Sequence, residues 1–258
     1  MTVDQLLDAD PRPSPLVEGY LKGGVMVFCD PFDLPSSAEL AEILGTNANF
    51  AVAMGIHPSY SSLDICHLLP AMTHISNLAT QGSIHAIREI GFDYTKGGSI
   101  VYQEALVRQF IPLLEADMPL ILHIRGDKQD RNGERAYGRC LAFLREKAPL
   151  QQVIQLHSFS GSVNLLRRWL EVFPNTYFSF SGLVKHFGPE QKEALRQVPS
   201  NRLMFETDSP YLPLRKSVTQ NFPQYIGETL EFAAQIREST PQLLARANEE
   251  NIRGAFKL

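Results

Sequence analysis

The sequence predicts an α/β fold of the TIM-type (β/α)8 barrel class, and three observations predict it. Short apolar runs alternate with longer amphipathic stretches along most of the chain, a pattern typical of strand–helix units and a parallel sheet. Seven such runs can be counted, close to the eight strands that close a barrel. The chain has 258 residues, of which 44% are hydrophobic, enough for one large core. We therefore expect a single barrel domain over residues 1–258.

The predicted strands are rich in β-branched, aromatic or leucine residues and lack proline and glycine, as buried parallel strands do. In chain order they are Val25–Cys29, Phe50–Met54, Ile84–Glu89, Leu120–His123, Val153–His157, Thr176–Ser181 and Arg202–Glu206. A helix-like piece, Leu16–Lys22, comes before the first of them and has no strand ahead of it. We therefore expect a barrel whose first strand is missing.

The predicted helices have apolar residues at helical spacing between these strands. They are Ser36–Leu44, Val101–Ala116, Ala136–Lys147, Val163–Phe173, Pro189–Gln197, Phe222–Glu238 and Gln242–Phe256. An open, doubly wound sheet of seven strands uses the same alternation of elements and is the alternative to the barrel.

Composition and charge restrict the classes of function. The formal net charge of −4 gives no global attraction for a polyanion, so such a substrate would need a local cation or a metal ion. Three scattered cysteines, Cys29, Cys66 and Cys140, indicate reduced thiols in an intracellular protein. No apolar stretch is long enough to span a bilayer, and no secretory signal is visible. We expect a protein of the cytoplasm or the nucleus that has neither a membrane nor an obligate protein as its partner.

Five polar residues lie at or shortly after the ends of predicted strands. In parallel α/β folds the functional residues lie at the carboxyl ends of the strands. The five are His57, Glu89, His123, His157 and Asp208. Taken singly, each has an ordinary explanation: a lone histidine is usually structural, a carboxylate can form an ion pair with a neighbouring arginine such as Arg88, and an aspartate before Ser209–Pro210 can cap a turn.

Convergence changes this interpretation for four of these residues. In a closed barrel the strand ends form a ring around one mouth, so Glu89, His123, His157 and Asp208 would face a common space. Two imidazoles and two carboxylates are costly to bury unpaired, whereas a divalent cation makes the same arrangement favourable. Mixed nitrogen and oxygen ligands suit Zn²⁺, Mn²⁺ or Fe²⁺ and tolerate Mg²⁺ less well. The sequence therefore predicts a metal site.

The remaining histidines are set apart from this group. We interpret His67, His74 and His85 as surface or packing residues because they lie in or beside helical and mid-strand positions. His186 follows a predicted strand and could reach the mouth. Asp30, in the turn after the first predicted strand, could be either a turn former or a mouth residue.

The sequence resembles the TatD family of metal-dependent deoxyribonucleases, within the amidohydrolase-like barrel superfamily. Five motifs carry the resemblance, in family order and at family-like spacing: GIHP (Gly55–Pro58), EIGFDY (Glu89–Tyr94), LILHIR (Leu120–Arg125), HSFSGS (His157–Ser162) and ETDSPYL (Glu206–Leu212). The similarity extends from about Val25 to the C-terminal helix. It implies a barrel that hydrolyses phosphodiester bonds at a two-metal site, with DNA as the expected substrate and Zn, Mg or Mn as the expected metal.

The resemblance also implies roles for particular residues. Glu89 would bridge two metal ions, and His123 and His157 would complete the second ion's site. Asp208 would bind the first ion and position or deprotonate the attacking water.

Three further residues receive roles by the same resemblance. His57 and Arg125 would contact the substrate phosphate, and Glu206 would support the site from behind the ligands.

One family feature is absent. Members of the family begin with a strand that carries a His-x-His pair, which supplies two ligands to the first metal ion. Nothing before Val25 contains a histidine, and Val3–Leu7 looks like the stretch that ordinarily follows that pair. We therefore expect one metal site to be retained and the activity to be weakened.

Two other functions stay open at this point. A barrel hydrolase of cyclic amides or esters would commonly use a carboxylated lysine at a strand end, and the sequence offers Glu89 there instead. A catalytically dead barrel that serves as a binding or regulatory protein would be consistent with the absent histidine pair.

Overall fold

The computed structural model describes residues 23–45, 49–95, 100–114, 118–213 and 219–258. In this part of the chain seven parallel strands form one sheet in sequential order: Gly24–Phe28 (β1), Phe50–Met54 (β2), Ala86–Asp93 (β3), Leu120–Arg125 (β4), Ile154–His157 (β5), Thr176–Phe180 (β6) and Leu203–Phe205 (β7). The sheet is curled into a half-barrel, so the predicted fold class is confirmed. The predicted helix Leu16–Lys22 lies outside the described residues.

Alternation along each strand separates an inner face from an outer one. On β2 the residues Ala51 and Ala53 belong to an inner cluster, whereas Val52 and Met54 belong to the large core under the helices. Small inner side chains leave room for the end of the C-terminal helix, whose Phe256 packs into the inner cluster. A polar side chain on the inner face therefore points into the barrel and away from the helices.

The described helices pack on the outer face of the sheet, and the last of them also reaches the inner cluster through its C-terminal end. They are Ser37–Leu44 (α1), Ile65–Thr80 (α2), Ile100–Phe110 (α3), Glu134–Lys147 (α4), Val163–Val172 (α5), Pro189–Gln197 (α6), Ile226–Arg237 (α7) and Pro241–Phe256 (α8). None of the helices described combines the length and the apolar character that a bilayer crossing requires.

Helix α2 was not among the predicted helices. Pro70 lies inside it and interrupts the sequence pattern, although the helix continues through this residue. Asp64 caps its first turn by accepting a hydrogen bond from the backbone N–H of Cys66, 2.9 Å away. The side of α2 that packs against the sheet buries Leu68 and Ile75, among others. Packing against the sheet thus outweighs the local effect of the proline.

The third strand differs from its prediction, and the difference affects the site. The predicted end of this strand at Glu89 is wrong, because β3 continues to Asp93. Its pairing with β4 shifts between Ile87 and Ile90. Gly91 lies beyond the predicted end of the strand, and a side chain there would place its Cβ 2.1 Å from the carbonyl oxygen of His123, so glycine is what lets the strands approach.

Helix α8 completes the backbone hydrogen bonding of β7. The side-chain oxygen of Asn248 accepts a hydrogen bond from the backbone N–H of Phe205 at 2.8 Å. Asn251 donates to the carbonyl oxygen of Leu203 at 2.7 Å. Two asparagine side chains thereby bind backbone groups of the last strand and hold it in place.

Candidate metal centre

Two predicted ligands lie side by side on neighbouring strands. His123 of β4 and His157 of β5 are paired in the parallel register. Their neighbours Leu122 and Leu156 pack in the outer core, so alternation directs both imidazoles to the inner face. The two rings are roughly parallel, with centroids 6.0 Å apart.

Glu89 joins these imidazoles. Its Oε1 atom lies 3.2 Å from Nδ1 of His123 and 3.1 Å from Nε2 of His157. All three side chains are buried, and their ligand atoms lie within 4.8 Å of one another. The structure therefore brings three of the four predicted ligands into one group around a common point.

Asp208 lies beside this group. Its Oδ1 atom is 3.3 Å from Nε2 of His157, yet Asp208 is in neither of the candidate ligand groups found among the described residues. It follows β7 in a left-handed backbone conformation, with φ of 60°. Aspartate tolerates this conformation better than most residues, although it remains a strained one. Its role as a metal ligand stays a prediction.

Each imidazole also has a carboxylate at the ring nitrogen that faces away from Glu89, which we call its outer nitrogen. Asp93 Oδ2 lies 3.3 Å from Nε2 of His123, and Glu206 Oε1 lies 2.8 Å from Nδ1 of His157. Metal-binding histidines generally have such a partner, which sets the tautomer and the ring orientation. Glu206 is itself held by the backbone N–H of Ser158, which donates to Oε1 at 2.6 Å. The arrangement supports the predicted position of Glu206 behind the ligands.

Asp93 was missed by the sequence reasoning. It is the last residue of β3, on the inner face, and Thr95 holds its carboxylate through a backbone hydrogen bond of 2.8 Å. Asp93 belongs to the EIGFDY motif, but a strand that ends at Glu89 does not place it at a strand end. A strand that continues to Asp93 places its carboxylate there.

His57 lies on the other side of His123. Their ring centroids are 4.6 Å apart, and His57, Asp93 and His123 form a second group of potential ligands. The Nδ1 atom of His57 accepts a hydrogen bond from the backbone N–H of Ser59 at 3.1 Å. Burial lowers the pKa of His57 to about 4. The ring is therefore neutral near neutral pH, and because Nδ1 accepts a hydrogen bond, its one proton is on Nε2.

Although burial opposes ionisation, the neighbouring imidazoles lower the pKa values of Glu89, Asp93 and Glu206 and hold these carboxylates in their ionised form. Burial opposes ionisation of Glu89, but His157 and Arg88 lower its pKa well below the usual range. Burial likewise opposes a charge on His157, but the carboxylate of Glu206 raises the pKa of His157 to about 10. A metal ion that binds Nε2 of His157 would compete with a proton there.

The buried atoms of the centre fit a cation. Among the described residues, Asp93 Oδ2 and His123 Nε2 are buried and lie 3.3 Å apart without a well-formed hydrogen bond. Both residues belong to the group that also contains His57, and an ion held there would relieve the cost of these buried atoms. In the group around Glu89, the outer nitrogen of each imidazole lies beside a carboxylate, that of Asp93 for His123 and that of Glu206 for His157.

Arg125 reaches the same region. It is the last residue of β4 and is exposed. Together with His123, His157, Ser158 and Ser160 it lines a small pocket over the centre.

Two further residues, Arg88 and Asp30, have contacts that bear on their predicted roles. Arg88 forms the expected contact with Glu89 at 3.7 Å, but its Nη2 atom also lies 2.9 Å from Nδ1 of His157. Nothing local in the sequence indicates that second contact. Asp30 proves to be a turn former, because its Oδ1 atom accepts from the backbone N–H of Phe32 at 3.0 Å.

A curled parallel sheet that holds buried imidazoles and carboxylates at the carboxyl ends of its strands defines a metal-dependent hydrolase of the TIM-barrel class. The model of the TatD related DNase family matches residues 8–257, and the chain belongs to this family. The resemblance seen in the five motifs is thus confirmed.

Several relatives are similar over most of the chain. A metal-dependent hydrolase of Bacillus subtilis is 27% identical over 88% of this chain and 85% of its own length. A 3′–5′ ssDNA/RNA exonuclease of Klebsiella pneumoniae is 28% identical over 87% of this chain and 83% of its own. A 3′–5′ RNA nuclease of Homo sapiens is 28% identical over 92% of this chain but only 30% of its own length.

Solved structures support the fold. A TatD homologue from Escherichia coli superimposes with a TM-score of 0.74 at 17% identity, over 92% of this chain and 87% of that one. An amidohydrolase from Saccharomyces cerevisiae gives a TM-score of 0.70 at 15% identity, over 90% of this chain and 88% of that one.

Proposed function

We propose that this protein hydrolyses phosphodiester bonds in single strands of nucleic acid, DNA foremost, with a divalent metal ion held by Glu89, His123 and His157. One observation carries the proposal. A single oxygen of Glu89 lies 3.2 and 3.1 Å from the inner nitrogens of two imidazoles, and each imidazole has a buried carboxylate at its outer nitrogen. This combination orients three ligands toward one ion and has little use without one.

The ion would supply a defined chemistry. When bound, a divalent metal lowers the pKa of its water toward about 7 and polarises a phosphoryl oxygen. Asp208 lies next to Nε2 of His157, where its carboxylate can orient the attacking water and accept its proton. Mixed nitrogen and oxygen ligands favour zinc or manganese over magnesium.

Two side chains, the guanidinium of Arg125 and the neutral imidazole of His57, would place the scissile phosphate. Arg125 lines the pocket over the ligands, and its guanidinium can bind two phosphate oxygens at once. His57 offers the Nε2 atom that its contact with Ser59 leaves available. Because the whole chain carries a formal charge of −4, these local groups and the metal ion would provide the attraction for a polyanion.

Exposed aromatic rings near the mouth favour a single strand as the substrate. Phe32 follows β1 and is 68% exposed, and Tyr211 follows Asp208 and is 70% exposed. The ring of Phe32 meets that of Tyr60 with centroids 6.0 Å apart. Unpaired bases stack on such rings, whereas bases in a duplex are hidden. The relatives named as nucleases of ssDNA and RNA support the same substrate class.

A metal-replacement assay tests the proposal. The full chain is stripped with a chelator, dialysed, and supplied with Zn²⁺, Mn²⁺ or Mg²⁺. A labelled single-stranded DNA oligonucleotide and an RNA of the same sequence are then offered. We expect cleavage that disappears with the chelator and returns best with zinc or manganese. The variant His123→Ala should be inactive with every metal, and His67→Ala, at an exposed histidine outside the centre, should retain the wild-type rate.

Cleavage that survives complete metal removal, or that persists in His123→Ala, would contradict the proposal. Stoichiometric metal without cleavage of either strand would instead favour a binding or regulatory barrel.

A further inference from the structure

Arg88 is a buried cation inside the metal centre. It lies on β3 directly before Glu89, and its side chain is only 9% exposed. Its Nη2 atom lies 2.9 Å from Nδ1 of His157, 3.7 Å from Oε1 of Glu89 and 3.9 Å from Oδ1 of Asp208. One guanidinium group therefore approaches both carboxylates that face the inner side of His157.

A hydrogen-bond conflict at His157 indicates what Arg88 does when a metal is bound. Both Arg88 Nη2 and Glu206 Oε1 lie within hydrogen-bonding distance of Nδ1, at 2.9 and 2.8 Å. One ring nitrogen cannot accept from a guanidinium and donate to a carboxylate at the same time. With a metal on Nε2, Nδ1 carries the proton and donates to Glu206. Arg88 is then left with Glu89 and Asp208 as its partners.

The position of Asp208 is consistent with this arrangement. Asp208 is excluded from both ligand groups but lies within ion-pair distance of Arg88. A second divalent ion between Glu89 and Asp208 would have to share that space with a permanent positive charge. The guanidinium of arginine keeps its charge in proteins, so the repulsion would persist.

We propose that Arg88 is the fixed second cation of the centre: its guanidinium neutralises the Glu89–Asp208 side, so that the site takes one divalent ion rather than two. This inference rests on the proposed metal site at Glu89, His123 and His157. Arg88 acts through the ligands and the charge of the centre, and is therefore a positioning residue.

The test counts and characterises bound Mn²⁺ in the metal-stripped full chain. Native mass spectrometry gives the number of ions, calorimetric titration gives the Kd, and electron paramagnetic resonance separates an isolated Mn²⁺ from a coupled pair. We expect one isolated ion per wild-type chain. In Arg88→Ala the loss of a nearby like charge should tighten binding of that ion by at least about tenfold. Arg88→Lys, which keeps the charge, should stay close to the wild-type Kd.

Two further variants make the result interpretable. Arg88→Gln provides a neutral side chain of similar length if Arg88→Ala does not fold, and the same tightening is expected. Arg135→Ala removes an exposed arginine that pairs with Asp127 on the surface, and its Kd for Mn²⁺ should equal that of the wild type.

The outcomes separate this inference from the proposed function. Two coupled Mn²⁺ ions in the wild-type chain, or an unchanged Kd in both neutral variants, would overturn the role of Arg88 and leave the metal site standing. A wild-type chain that binds no Mn²⁺ or Zn²⁺ would overturn both.

Discussion

His123 and His157 occupy paired positions on adjacent parallel strands, and this single register places two imidazoles over the same carboxylate. Strands in a sheet are about 4.8 Å apart, so paired inner residues can share one small ligand. A slip of one residue on either strand would turn its histidine to the outer core. The register is therefore as important to the centre as the residue types.

Replacing the shared carboxylate should remove the metal with little effect on the fold. We expect Glu89→Gln to weaken binding of Zn²⁺ or Mn²⁺ by at least about a hundredfold, because the amide keeps the shape and loses the charge at both imidazoles. Calorimetric titration of the metal-stripped chain measures the Kd. Glu146→Gln, at an exposed glutamate of α4, is the matched control and should bind as the wild type does. Equal affinity in both variants would remove Glu89 from the ligand set.

The carboxylate behind His157 should have a smaller effect. Glu206→Gln keeps a hydrogen-bond acceptor near Nδ1 of His157 but removes the charge that orients the ring and raises its basicity. Metal affinity is expected to fall by about 10- to 100-fold, the range usual for such partners. The same titration reports the change. A loss as large as that in Glu89→Gln would mean that Glu206 is itself a ligand.

The exposed aromatic rings should contribute to strand binding independently of the phosphates. The double variant Phe32→Leu, Tyr211→Leu is expected to weaken binding of a single-stranded oligonucleotide by at least about 30-fold, since stacking contributes about 1–3 kcal/mol per base and two rings are lost. Fluorescence anisotropy in the presence of a chelator measures binding without cleavage. An oligonucleotide with abasic sites should bind the wild type and the double variant equally.

A matched control for that experiment lies on α3. Tyr102 is 62% exposed, on a helix that covers the outer face of the sheet. Tyr102→Leu should leave the affinity unchanged. If it weakens binding as much as the double variant does, general surface hydrophobicity and not stacking at the mouth explains the effect.

Gly91 should be intolerant of any side chain. Its φ of 145° is unfavourable for other residues, and a Cβ there would lie 2.1 Å from the carbonyl oxygen of His123. Gly91→Ala is expected to lower the free energy of unfolding by about 3 kcal/mol or more, through backbone strain and overpacking together. Urea denaturation measures it. Gly254→Ala, on α8 where no described atom would lie within 4 Å of the new Cβ, should instead be neutral or stabilise by up to about 1 kcal/mol.

His85 should make the fold sensitive to mild acid. Its Nδ1 atom accepts a hydrogen bond from the backbone N–H of Val52 at 3.2 Å, and burial lowers its pKa below the ordinary value of 6.5. In the unfolded chain the imidazole gains a proton as the pH falls through about 6.5, while in the folded chain it remains neutral. Stability is therefore complete above that pH and declines below it.

The variant His85→Asn tests this assignment, because its amide oxygen can accept the same hydrogen bond without titrating. The decline in unfolding free energy between pH 7 and about pH 5 should be smaller than in the wild type. His67→Asn, at an exposed histidine, should retain the full decline. Identical pH profiles for His85→Asn and the wild type would contradict the assignment.

Much of the fold is predictable because its patterns are local. All seven predicted strands are present, and their alternation directs His123 and His157 inward before any tertiary contact is considered. The failures also have local causes. Pro70 interrupts the helical pattern, so helix α2 is not predicted. Gly91 interrupts the strand pattern, so the last part of β3, with Asp93, is not predicted.

The sequence by itself determined the class of fold, the family and the residue types that gather at the strand ends, because strand period, helix period and motif order are written along the chain. Only the tertiary structure decided which atoms meet. The contact of Arg88 with His157 and Asp208, and the separation of Asp208 from the ligand group, depend on the curl of the sheet and on side-chain direction. Those properties arise from packing between segments far apart in sequence, and no local pattern records them.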